Sequence, residues 1–209
     1  MVHCDGSYSD CMAFTSGELD AFYGHTLPDT VGPGLKLLFV GINPGLHTAA
    51  VQAPFALRGN RFYPALYRAG ITDRVIDASA GLSDDDRDHL FDRGIGITSL
   101  VAAATRRADE LTAAQLREGA LSLEARVMAL RPAVVAMLGI TAYRTAFGRP
   151  NTVVGPQPEL LGGRALWVVP NPSGLNAHET AASLGAAYRA AAVAAGIAVY
   201  DEPRHPDRL

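Results

Sequence analysis

Two asparagines held in proline turns are the residues of this chain best placed to do chemistry. Asn43 lies in Gly41-Ile42-Asn43-Pro44-Gly45-Leu46, and Asn171 in Pro170-Asn171-Pro172-Ser173-Gly174-Leu175-Asn176. A carboxamide presents both donors and an acceptor without titrating, so it suits hydrogen bonding to a polar group and not proton abstraction. Each motif alone is also a good turn former, which would give it a purely structural reason to exist. Competing motifs are weaker. No Gly-x-x-x-x-Gly-Lys-Ser/Thr occurs, and Pro44 interrupts the turn that would make Gly41-x-x-x-Gly45 a dinucleotide loop. Asp84-Asp85-Asp86 with Asp88 fits an acidic helix start better than a metal site. His3, Cys4, Cys11 and His25 match no ligand spacing, and two cysteines are too few for a disulfide framework or a four-cysteine cluster. No metal and no cofactor is expected.

Both asparagine loops follow apolar runs, and those runs must position them. Leu35-Lys36-Leu37-Leu38-Phe39-Val40 has the nearly continuous apolar character of a strand buried on both faces of a parallel sheet. Similar runs cover residues 133–139 and 165–169, with a weaker one at 94–98. Helical patterns lie between them at 60–69, 112–130, 140–147 and 179–195, with a short one near 17–23. In the second, Thr112 is the expected N-cap, and Leu116, Leu123, Val127 and Leu130 form an apolar stripe closed by Pro132. This alternation predicts an α/β fold, a three-layer α/β/α sandwich around a mostly parallel sheet of four to five strands. Ligands of such sheets bind beyond the carboxyl ends of the strands, where both asparagine loops fall. The expected organisation is an arm over 1–34, one domain over 35–197 and a tail over 198–209.

Three further segments stand between the loops: Pro54-Phe55-Ala56, Asn60-Arg61-Phe62 and Gly96-Ile97-Thr98-Ser99-Leu100-Val101. In this order the set resembles the mismatch-specific uracil and thymine DNA glycosylases, the second family of the uracil-DNA glycosylase superfamily, over about residues 35–192. The resemblance implies a monofunctional glycosylase of base excision repair, a hydrolase acting on N-glycosidic bonds. It would flip uracil, and as further candidates thymine or other modified bases, from mismatched duplex DNA and leave an abasic site. The alternative is a non-catalytic reader of damaged or mismatched DNA on the same fold.

By the same resemblance Asn43 would position the attacking water, its amide oxygen accepting one water proton. Ile42, Gly45, Thr48, Phe55 and Asn171 would bind the extruded base, with Phe55 as the stacking face and Thr48 near the C5 side of the pyrimidine. Ser173, Gly174, Leu175 and Asn176 would form the wedge, Leu175 filling the vacated space in the stack. The plainer reading of Phe55 and Leu175 is that both belong to the core. Arg58 and Arg61 are the candidates for the DNA backbone, followed by Arg106 and Arg107, and Asp92 is the candidate accessory carboxylate. Ser99 stands where some relatives have lysine, and Asn176 where some have Ser or Arg, so base range and opposite-base preference stay open. Lys36, the only lysine, starts a buried strand and is poorly placed as the amine of a lyase.

The chain has 209 residues, 48% hydrophobic and 19% charged, enough for one full core. A net charge of −3 argues against a general basic coat for nucleic acid and leaves room for a local arginine rim. With no long apolar stretch and no basic and apolar leader at Met1-Val2-His3-Cys4-Asp5, the expectations are no membrane span and a cytoplasmic protein. No heptad suggests an obligate dimer, so a monomer is expected.

Overall fold

The structure is a computed structural model and describes residues 14–201. His3, Cys4, Cys11 and the end of the expected tail lie outside the described residues. Five strands form one sheet in the order β2-β1-β3-β5-β4: β1 (Leu37–Gly41), β2 (Ile95–Ser99), β3 (Val134–Leu138), β4 (Gly155–Leu161) and β5 (Arg164–Val169). β1, β2, β3 and β5 run parallel and β4 pairs antiparallel with β5. The helices are α1 (Ser16–Asp20), α2 (Leu46–Val51), α3 (Phe62–Arg68), α4 (Asp84–Asp92), α5 (Ala113–Leu130), α6 (Ile140–Phe147) and α7 (Ala181–Ala194).

The period-2 alternation of side chains sorts the strands onto two cores. Leu37 and Phe39 of β1, with Val134 and Ala136 of β3, join residues of α3 and α7 on one face. Leu38 and Val40, with Val135 and Met137, join residues of α5 and α6 on the other. This is the expected three-layer sandwich, and β1 and β3 are buried at every position because both faces are covered. Thr112 caps α5 through a capping box with Gln115, and Leu116, Leu123 and Val127 are buried as the stripe requires. Among the described residues no helix is long and apolar enough to cross a membrane.

β4 was not expected. Pro156 and Pro158 cannot donate to a ladder, which confines such a segment to a sheet edge, and its side chains alternate between half-buried and exposed. The turn into β5 is Gly162-Gly163, both at positive φ, the two-residue form that matches the twist of a hairpin.

Residues 24–30 of the arm pack along the outer edge of the sheet. Thr30 and Ile97 exchange both main-chain hydrogen bonds, and Thr26 bridges Ala103. The arm thus covers the free edge of β2 and braces the segment that follows it.

Candidate active site

At the carboxyl ends of the parallel strands lies a cleft of about 520 Å³. Its walls include Gly41, Ile42, Asn43, Gly45 and Thr48 after β1, Thr98 and Ser99 of β2, Leu138 of β3, and Asn171, Ser173, Gly174 and Leu175 after β5. The two asparagine loops, 128 residues apart in numbering, therefore close on one space.

Asn43 is held by its nitrogen. Nδ2 donates toward the carbonyls of Pro44 (3.2 Å) and Ala103 (3.1 Å) and to Thr105 Oγ1 (2.7 Å). The Thr105 hydroxyl in turn donates to the Arg107 carbonyl at 2.7 Å, so its lone pair is what meets the amide. Two carbonyls at one end of the carboxamide fix which end is nitrogen, since an oxygen there would face oxygen. Oδ1 accepts nothing from the described residues and stays available on the cleft wall. The bracing segment is zipped to the loop by the Thr105 amide donating to the Pro44 carbonyl at 3.1 Å.

Phe55 lines the cleft with its ring stacked on Phe62, centroids 4.1 Å apart and planes at 26°. Its backbone is in the left-handed region at φ 57°, an uncommon state for a bulky residue and one that clusters at functional sites. A buried tyrosine supports this loop: Tyr63 donates its hydroxyl to the Pro54 carbonyl at 2.9 Å. Burial pushes the Tyr63 phenol well above its ordinary value, which keeps it a donor. Gly41 makes room for the ring, since a Cβ there would come within 3.2 Å of Phe55 Cζ.

Asn171 turns its acceptor inward, where Oδ1 receives the Ser173 amide at 3.0 Å. Nδ2 engages no described residue and remains a donor on the wall. Leu175 is 82% exposed at the tip of this loop, which rules out a core role. Its amide donates to Ser173 Oγ at 3.3 Å.

Three expected site residues do not line the cleft. Asn176 does not line the cleft: its Nδ2 folds back onto the Asn171 carbonyl at 3.1 Å and ties the loop from within. Arg61 faces the protein and not solvent, its guanidinium bonded to the carbonyls of Ser173, Asn176 and Glu179. Asp92 ends α4 and is exposed at the entry to β2, the opposite end of the sheet from the cleft, so it cannot assist Asn43. Arg58 is exposed on the rim. Arg106 and Arg107 also line the cleft but are engaged, with Asp20 and Asp109 respectively.

Sequence reading missed Thr105, Tyr63, Leu57 and Asp109. Asp109 is the one carboxylate among the described lining residues, against three arginines; with Arg106 and Arg107 in ion pairs, Arg58 is the lining arginine outside a salt bridge among the described residues. Hydrogen bonds from Arg107 hold Asp109 below the usual carboxylate range, which favours its ionised form and weakens it as a base. Leu57, 61% exposed, is a second apolar side chain on the rim.

The site thus combines an aromatic wall, amide donors and acceptors, and an oriented carboxamide oxygen. It can bind a flat polar heterocycle and direct a water, with proton transfer left to solvent or product. Residues 28–195 match the model of a family described as the uracil DNA glycosylase superfamily.

Proposed function

The chain belongs to the uracil DNA glycosylase superfamily, and from that premise we propose that it is a monofunctional glycosylase specific for mismatched duplex DNA. It excises uracil opposite guanine first, with thymine and other modified pyrimidines as lesser substrates. The observation that carries the reading is Asn43: its nitrogen is immobilised by three acceptors while Oδ1 is left open to the cleft.

In this reading Leu175 enters the space left by the extruded nucleotide, and the unstacking it offsets costs on the order of a few kcal/mol, less at a mismatch. The pyrimidine stacks on Phe55. Backbone groups at Ile42 and Gly45 and the Asn171 Nδ2 meet its polar edge, and Thr48 lies toward C5. The C1′–N1 bond breaks with its electron pair passing to uracil, whose anion is stabilised by these fixed donors. Water held by Asn43 Oδ1 adds to C1′ of the oxocarbenium-like sugar. Its proton is released to solvent or taken by the departing base, because an amide cannot accept it. Turnover is therefore slow, since a general base typically contributes roughly 10²–10⁴-fold. Arg58 contacts a phosphate on the rim, and the small number of such contacts gives a shallow salt dependence.

Labelled duplexes carrying G·U, A·U and G·T test the reading directly. Alkali-labile product that forms fastest from G·U, without a borohydride-trapped adduct, is the expected result. Equal rates on G·U and A·U would remove mismatch specificity, and a trapped adduct would remove monofunctional hydrolysis.

A further inference from the structure

Resting on the reading above, we propose that Arg61 is a positioning residue for base extrusion, which presets the loop carrying Leu175 before DNA arrives. Residues 170–179 have no regular secondary structure, yet the carbonyls of Asn171, Pro172, Ser173, Asn176 and Glu179 all accept hydrogen bonds. The Asn176 amide donates to the Ser173 carbonyl at 3.0 Å and the Glu179 amide to the Asn176 carbonyl at 3.4 Å, which makes two successive turns. The carbonyls of residues 173, 176 and 179 consequently converge, and the Arg61 guanidinium takes all three: Nη1 to Glu179, and Nη2 to Ser173 and, at 2.7 Å, to Asn176. The Arg61 amide adds a main-chain bond to the Pro172 carbonyl at 3.0 Å. Beside it the two loops touch, since a Cβ on Gly174 would lie 2.9 Å from the Gly59 carbonyl oxygen.

An exposed leucine gains nothing from standing at a loop tip in the free protein, so the loop must be fixed from beneath. Charge-assisted bonds to carbonyls do this, and ordering the loop during folding removes that cost from DNA binding. The planar fork of arginine is what spans three carbonyls, and an ammonium cannot. Among the described residues no carboxylate pairs with Arg61, and its Nε is buried without a partner. Its charge is thus committed to the loop backbone alone.

The test follows extrusion and cleavage on one G·U duplex, with 2-aminopurine beside the uracil as the fluorescent report of unstacking. Wild type, Arg61→Lys, Leu175→Ala and the double variant are compared, with Arg61→Gln as a second replacement. Arg61→Lys is expected to lower extrusion and cleavage in parallel by about 10- to 100-fold, the scale of a misplaced group. The double variant should be no worse than the poorer single one, because both act through one element. Wild-type rates in Arg61→Lys, normal extrusion with slow cleavage, or additive losses would overturn the proposal.

Hydrogen exchange on the DNA-free wild type is a second, independent measurement. Protected amides at Ser173 and Asn176 are expected, and exchange at the rate of an open loop would contradict the clamp even if no variant folds. Failure of the wild type to extrude or cleave any uracil duplex would instead remove the glycosylase reading, while the exchange result still decides the clamp.

Discussion

Asn43 and Thr105 stand 62 residues apart in the chain and 2.7 Å apart in the fold, joined by an amide-to-hydroxyl hydrogen bond whose direction is set by the Arg107 carbonyl beyond it. This bond, with two carbonyls, leaves the Asn43 oxygen as the free end of the carboxamide. Thr105→Val, which keeps shape and removes the acceptor, should lower single-turnover cleavage about 10- to 100-fold. The loss of both hydrogen bonds of the hydroxyl, from Asn43 and to the Arg107 carbonyl, should cost about 1–3 kcal/mol of stability. An unchanged rate would show that the carbonyls alone orient the amide.

Phe55 should contribute through its face. Phe55→Ala is expected to weaken binding of uracil-containing duplex by about 1–3 kcal/mol, the worth of one stacked base, whereas Phe55→Tyr should be close to wild type. Gly41→Ala should impair the same function without touching the base, because the new Cβ presses on the Phe55 ring at 3.2 Å. Titration of an uncleavable G·U duplex measures all three, and a Gly41→Ala protein that binds normally would contradict the proposed wall.

Leu175→Ala separates function from folding. At 82% exposure the side chain supports no core, so melting should shift by no more than about 0.5 kcal/mol equivalent while duplex extrusion is lost. A large drop in stability would return Leu175 to a structural role.

Burial raises the phenols of Tyr63 and Tyr188 above their ordinary value of 10.0, with desolvation the leading cause in both. The unfolded chain therefore loses these protons first. Their contribution to stability is intact below pH 10 and declines as pH rises above it. Chemical denaturation from pH 8 to 11 should show this alkaline decline, and Tyr63→Phe should flatten it. A decline already complete at pH 8 would point to another group.

How much of this was legible in the sequence depends on how local each signal is. β1 and β3 were visible because strands buried on both faces read as apolar runs, β5 because Ala165 to Val169 is an unbroken apolar run although only Leu166, Val168 and Val169 are buried, and α5 because its cap and stripe lie within one segment. β4 was hidden by Pro156 and Pro158, although Gly162-Gly163 carried a hairpin signal. The two asparagine loops, Phe55 and Leu175 were named from their motifs, and all line one cleft. Thr105 was not, because its partner is set by the folding of the arm and the segment after β2 against the Asn43 loop. Arg61 was read as a surface cation, yet its surroundings are three carbonyls from a loop more than a hundred residues away. Asp92 failed for a topological reason: a residue just before a parallel strand sits at the end of the sheet opposite the site.

The central claim is that Asn43 acts on the sugar–base bond and not on recognition. Single-turnover cleavage of a labelled G·U duplex by wild type and Asn43→Ala, with 2-aminopurine fluorescence recorded on the same samples, tests it most directly. The account predicts alkali-labile product from the wild type, loss of that product in Asn43→Ala, and base extrusion retained in both. Specific binding and extrusion by the wild type without any cleavage would contradict it and make the protein a reader of mismatched DNA.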